Sequence, residues 1–486
     1  MSNTTYTTLL IGAGFSGIAL GVELRKRGLN DFLILEKAEE IGGTWRDNTY
    51  PGAECDIPSA LYSFSFAGYA DWEYKWSHQP QILSYLRQCA ADFGVQDHVR
   101  CGQEVTGAHW QAEAGQWIVF CRNGQQYRTR TLVSAIGQLH HPSTPKLPGA
   151  ETFSGATWHS ARWDHSVSLT GKRVGVIGNG ASAAQFIPEV AKEAKSVVVF
   201  QRTANWILPK QDRAYREWEK RLVRRFPFLL QLYRAKIYLL TSLFYFAMQG
   251  GNRFFRSVLE RWSKWFIRRK IKDPAVAQKL VPDYPLGARR VLFSDDYYPA
   301  LAQDHVTLET DGIAQIVPTG IQTQTGTQHE LDVLIYGTGF VTHPFLLHID
   351  LRGTVGQSIH EAWREAPRAY KGISIAGFPN FFMLYGPNTN LGHTSILLMT
   401  ESQASYIAQA IEQLVKNDWT AVDVKPIAMH AYYDRLVQRL DDMIWQQTKN
   451  SWYQTADGLN VNNWPGRTQE YARLTARVEW EDYKIV

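Results

Sequence analysis

Two glycine-rich stretches, GAGFSG (Gly12, Gly14, Gly17) and GNGASA (Gly178, Gly180, Ala183), carry the chemistry that reads most directly from this chain. A G-x-G-x-x-G/A loop joining a strand to a helix lets backbone approach a pyrophosphate and aims the first amides of the helix at it. In each case a charged residue stands 24 positions after the first glycine, and the two have opposite sign: Glu36 and Arg202. A carboxylate there accepts hydrogen bonds from ribose hydroxyls, whereas a guanidinium pairs with a 2′-phosphate that a carboxylate would repel. The second loop, with Asn179, Ala181, Ser182 and the hydroxyl of Thr203 beside Arg202, therefore predicts an NADPH site. The first, with Phe15 and Ser16 in its turn, predicts FAD, the usual partner when a glutamate-terminated unit leads a chain that continues into an NADPH unit. FAD with NADPH implies hydride transfer, and the later chemistry of the flavin then sets the enzyme class.

Both loops need a rigid frame. YTTLLIGAGFSGIALGVELRKRGLNDFLILEK reads as strand, glycine turn, amphipathic helix and second strand, and the same grammar returns from Lys172 to Thr203. The fold class that follows is α/β, with two Rossmann-like dinucleotide-binding domains. The expected layout is an FAD domain over 1–145, a linker over 146–170, an NADPH domain over 171–335 and a second part of the FAD domain with C-terminal helices over 336–486. Residues about 211–282 change character, mixing Arg and Lys with FPFLLQLYRAKIYLLTSLFYFAMQ, and read as a helical insertion in the NADPH domain. A basic amphipathic helix can lie on a membrane surface, but a helix packed on a neighbouring domain looks the same in sequence, and the second is the expectation here.

Composition narrows the field. A chain of 486 residues with 44% hydrophobic and 20% charged residues is long enough for two or three domains. A net charge of +5 suits anionic ligands and is too mild for a nucleic-acid partner. Aromatic content of 13%, with 17 Trp, is rich and fits ring-binding surfaces or an aromatic core. Cys55, Cys89, Cys101 and Cys121 show no C-x-x-C spacing, so a redox dithiol is not expected and neither is a metal. The N-terminus lacks a basic leader, and the apolar run Ile237 to Met248 is too short to span a bilayer, so a soluble cytoplasmic chain is the expectation.

Between the two units lies FSGATWHSARWD, Phe153 to Asp164. Phe153, Gly155, His159, Trp163 and Asp164 match every position of FxGxxxHxxxW followed by Pro or Asp, which resembles the fingerprint of type I Baeyer-Villiger monooxygenases, class B flavin monooxygenases. The heteroatom-oxidising relatives usually end that motif in Tyr or Phe. GGTWRDNTYPGAECD, DVLIYGTGF and FPNFFMLYGPNT are similar to further family segments, so the likeness runs over nearly the whole chain. The resemblance implies an NADPH- and O2-dependent enzyme in which oxygen adds at flavin C4a and the peroxide attacks a ketone to give an ester or lactone, with sulfoxidation as a side activity. N- or S-oxidation as the main task is the alternative. It places the catalytic arginine on Arg290, oriented by Asp56, which also borders the flavin. Arg289 falls to NADP, and Thr44, Trp45, Tyr62 and Val105 to FAD. Two departures stand out: Glu54 precedes Cys55-Asp56 where many members carry a small or basic residue, and SAIG (Ser134 to Gly137) replaces Ala-Thr-Gly. His159 reads as structural, with Phe153, Trp158 and Trp163 as anchors of the link.

Overall fold

The chain is described by a computed structural model over residues 4–343, 345–448, 451–455 and 457–486. The first glycine loop lies between the strand Thr5–Ile11 and the helix Phe15–Lys26, and the chain returns through Phe32–Leu35, parallel to the first strand with Leu9 opposite Leu33. Phe32–Leu35 and the Leu9 to Ile11 end of the first strand are continuous apolar runs because they are covered on both faces, and Leu9, Leu10, Ile18, Leu20 and Ile34 have no exposed surface. The full sheet runs Asp350–Arg352, Val105–Gln111, Gln116–Cys121, Gln126–Ser134, Thr5–Ile11, Phe32–Leu35, Val99–Arg100, and Phe381–Met383 also pairs with Gln126–Ser134. The helix Ile396–Lys416 packs against Phe15–Lys26, so the C-terminal part of the chain completes the core around the first loop.

The second sheet is parallel throughout, in the order Val306–Glu309, Ser196–Phe200, Arg173–Ile177, Val333–Tyr336, Ala156–His159. The helix Ala181–Glu193 follows its glycine loop. The segment expected as a linker is thus partly an edge strand of this sheet. Gly155 permits the approach: a Cβ there would lie 2.4 Å from the Asp332 carbonyl oxygen and 2.7 Å from the Phe153 ring.

The basic segment forms four helices, Glu217–Arg225, Phe228–Met248, Arg253–Lys270 and Pro274–Lys279. They divide their contacts rather than belonging to one domain. Leu230 and Ile237 pack on Ala60 and Leu61 of the first unit, whereas Phe266, Ile267 and Ile271 join the core of the second. Among the described residues no helix is long and apolar enough to cross a membrane.

Candidate active site

In the first loop Gly12 has φ +105, and a Cβ there would sit 2.8 Å from the Ala135 carbonyl oxygen; at Gly17 it would meet the Gly12 carbonyl oxygen at 2.0 Å. At Gly14 the nearest atom is the Cα of Gly43 at 3.7 Å, so two glycines face each other across bare backbone at the start of a helix with no side-chain cap. That arrangement leaves amides and space for a pyrophosphate. Glu36, at the end of the second strand, is 4% exposed. Its Oε2 accepts the Ala13 amide at 2.9 Å, and its Oε1 accepts the Ala38 amide at 3.0 Å and Nη1 of Arg46 at 2.9 Å. An ionised carboxylate has about four acceptor sites, so capacity remains for a ribose hydroxyl.

Around this loop the aromatic residues separate into two roles. Phe15 turns its ring inward, 5.2 Å from Phe64 and 5.4 Å from Tyr62, so only its backbone can face a ligand. Trp45, in the short helix Thr44–Asp47, donates its indole N–H to the Tyr62 hydroxyl at 2.9 Å. Val105 is a buried residue at the start of its strand, next to Glu104, which lines a cleft with Lys37, Arg46, Thr49 and Trp163.

In the second loop Gly178 has φ +102, while a Cβ at Gly180 would meet no atom within 4 Å. The helix beginning at Ala181 has no side-chain cap, and Ala183 packs where Gly337 leaves room. Asn179 ties the loop to the strand end: its side-chain amide donates to Gln201 Oε1 at 2.8 Å and to the Thr203 carbonyl at 3.0 Å. This holds Arg202 alongside the loop, exposed and with no carboxylate within 4 Å among the described residues. The two cradles fit dinucleotides by the same physical test: bare backbone at a helix start, with a charge of the right sign beside it.

Arg290 meets Asp56 where the two units face one another. Its Nε donates to Asp56 Oδ2 at 2.8 Å, and Nη2 donates to the same oxygen. The Arg290 side chain keeps 35% of its surface exposed and that of Asp56 19%, so neither is fully enclosed. Asp56 raises the pKa of Arg290 against the opposing effect of burial, which secures a cation at any working pH. Tyr385 and Tyr453 lie close enough for their charge states to feel it, and burial pushes both phenols up, so they stay neutral. The loop carrying Arg290 is braced from outside: the Leu286 amide donates to Glu260, and the Leu292 and Ser294 amides donate to the Trp206 and Leu208 carbonyls. Arg289, one residue earlier, lies over the Tyr284 ring at 4.8 Å.

The fingerprint segment is placed by packing. Trp158 and Trp163 are 5.6 Å apart, and Trp163 reaches Phe186 on the second glycine-loop helix at 5.4 Å. Phe153 joins the small cluster with Ile316 and Leu334. His159 is 7% exposed, and its Nδ1 accepts the Ala161 amide at 3.1 Å. Burial lowers its pKa, which favours the uncharged ring. Asp164 accepts the Ser166 amide at 2.9 Å and closes a surface turn.

Three residues with no signature in the sequence tie this region together. Gln185 accepts the Tyr50 hydroxyl at 2.8 Å and donates to the Glu54 carbonyl at 3.0 Å, joining the Asp56 loop to the second unit's helix. Lys210, 3% exposed along its side chain, pairs with Glu54, so the unusual glutamate before Cys55 has its own buried cation. Asp295 accepts the amides of Lys210, Gln211 and Asp212 and holds that turn. The four cysteines are unpaired, three of them buried.

A family profile described as pyridine nucleotide-disulphide oxidoreductase matches residues 9–223. The match covers the two glycine-loop units, and the free cysteines offer no dithiol to go with that name. Curated relatives include a Baeyer-Villiger monooxygenase of Pseudomonas aeruginosa, 38% identical over 98% of this chain and 90% of its own, and one of Streptomyces coelicolor, 39% identical over 98% and 92%. Among solved structures, cyclohexanone monooxygenase from Rhodococcus sp. Phi1 bound to NADP+ superposes with a TM-score of 0.89 at 27% identity, covering 100% of this chain and 99% of that one. OTEMO in complex with FAD and NADP does so at 0.89 and 28%, over 99% of each chain. With identity of this order over nearly the full length and the whole architecture in common, the chain belongs to the Baeyer-Villiger monooxygenases.

Proposed function

We propose that the chain binds FAD at its first glycine loop and NADPH at its second, and uses O2 to insert one oxygen atom beside the carbonyl of a ketone, giving an ester or lactone. Once bound, the two cofactors supply hydride transfer and oxygen activation. The observation that carries the reading is the Arg290–Asp56 pair at the meeting of the two units.

Oxygen insertion places negative charge on oxygen as the carbonyl is attacked, and a fixed cation in a partly desolvated cleft stabilises that charge without reorganising. Arg290 is the assigned cation. Asp56 holds its Nε and Nη2 edge and so sets where the rest of the guanidinium points. Arg202 and Thr203 are assigned to the 2′-phosphate side of NADPH, Arg289 to a further NADP contact, and Glu36 to the FAD ribose. Tyr62 and Trp45, hydrogen-bonded to each other, form the aromatic wall on the flavin side.

The test is a product-identified panel of linear, cyclic and aryl ketones with NADPH and O2. Esters or lactones are expected, with some sulfide oxidised as a side activity. Hydrogen peroxide alone from every ketone, beside efficient oxidation of an amine or sulfide, would overturn the reading. Arg290→Ala is expected to keep NADPH oxidation and lose ester formation by about 100-fold or more, the scale of removing one preorganised oxyanion donor. Retained ester would remove Arg290 from its role.

A further inference from the structure

The helix Phe228–Met248 presents apolar side chains on both faces. Leu230 and Ile237 are buried inward, while Phe228, Leu232, Leu239 and Leu243 recur at helical spacing on the opposite, solvent-facing side. Leu232 and Leu239 are 62% and 64% exposed, and Phe254 on the neighbouring helix Arg253–Lys270 is 80% exposed. Val258, Trp265 and Trp218 add to the same insertion's exposed apolar surface. Scattered exposed leucines need no explanation, but a stripe of large side chains over four helical turns does.

The charge around it says what covers it. Residues 211–282 contain 17 Lys and Arg against 5 Asp and Glu, a net +12 within a chain of net +5, so the rest of the molecule sums to −7. Lys236, Arg253, Arg261, Arg268 and Arg269 are exposed and have no carboxylate within 4 Å among the described residues. Arg269 lies 5.2 Å from the Trp265 ring, a pairing of cation and indole that suits a headgroup region. A second copy of this chain is a poor occupant, because a two-fold contact would set the same cationic surface against itself.

We propose that this insertion is a docking surface for an anionic lipid bilayer, with the Leu232–Leu239 stripe entering the acyl boundary and the arginines meeting the headgroups. The end of the same helix borders the Arg290 loop: Met248 Cγ is 3.4 Å from the Cβ position of Gly287. Docking would thus bring the approach to the Arg290 loop close to the lipid, independently of what Arg290 does there.

The purified full chain, saturated with FAD, would be sedimented with phosphatidylglycerol/phosphatidylcholine vesicles and with phosphatidylcholine alone, at low and high salt. Binding is expected to the anionic vesicles at low salt, weakened by salt. The pairs Leu232→Gln with Leu239→Gln and Arg261→Gln with Arg268→Gln are each expected to lower partitioning about tenfold or more. NADPH oxidation in vesicle-free buffer should remain at the parent level and report an intact fold. No sedimentation of the parent with anionic vesicles at low salt, or equal sedimentation of the variants, overturns the proposal. A dimer that the leucine variant dissociates, without vesicle binding, would assign the face to a second copy.

Discussion

The two glycine-loop units solve one packing problem in opposite ways. In the first, Gly17 in the helix lies against the Gly12 carbonyl, and Ala135 of the adjoining strand end is the residue with a side chain; in the second, Ala183 in the helix has the side chain and Gly337 of the adjoining strand end has none. The charge positions are also inverted. Glu36 is buried and held by two amides and Arg46, whereas Arg202 stands exposed beside its loop. A hydroxyl-binding carboxylate must be immobilised and desolvated to be selective, while a phosphate-binding guanidinium can wait in water for a ligand that brings its own charge. The first unit therefore holds its charge fixed and desolvated, and the second leaves its charge in water.

The largest expected effect tests that contrast directly. Gly17→Ala would put a methyl 2.0 Å from the Gly12 carbonyl oxygen and should abolish retention of FAD through gel filtration, read as loss of flavin absorbance. Gly180→Ala meets no protein atom within 4 Å, so melting should hold while KM for NADPH rises at least about tenfold. If both variants lost the fold, the contrast between a filled and an open glycine position would fail. Next in size, Arg202→Ala should raise KM for NADPH about 10- to 100-fold and leave NADH nearly unchanged, the scale of a charge-assisted hydrogen bond. Equal changes for the two nucleotides would remove the phosphate from the argument. The smallest effect sharpens the packing half. Gly337→Ala would bring its Cβ to 3.0 Å from Ala183, and Ala183→Gly should relieve it, giving a coupling of about 0.5 kcal/mol or more in a thermal double-mutant cycle.

The difference between the units also explains how far sequence reading reached. Glycine spacing and the sign of the residue 24 positions on are local, so both loops and the four strands that flank them were legible. The Arg290–Asp56 pairing spans 234 residues and came only through family resemblance, because no periodicity links the two. Phe15 was legible as a loop residue, but its inward ring was not: the cluster with Phe64 and Tyr85 is tertiary. The segment Phe153–Asp164 reads as a link because its strand is only four residues long, Ala156–His159, and becomes a strand only beside Val333–Tyr336. Gln185, Lys210 and Asp295 left no trace, since a polar residue's partner is set by which loops the fold brings within about 3 Å.

By itself the sequence determined the two βαβ units, the cofactor class each loop suits and the basic apolar character of the insertion, because backbone stereochemistry, hydrophobic period and charge act over a few residues. Only the tertiary structure decided that Arg290 meets Asp56, that Glu54 has Lys210 as its cation, and that Leu232 and Leu239 face outward while Leu230 and Ile237 face in. A helix apolar on both sides carries no local mark of which face will be covered; that is settled by the neighbour it finds, here Ala60 and Leu61.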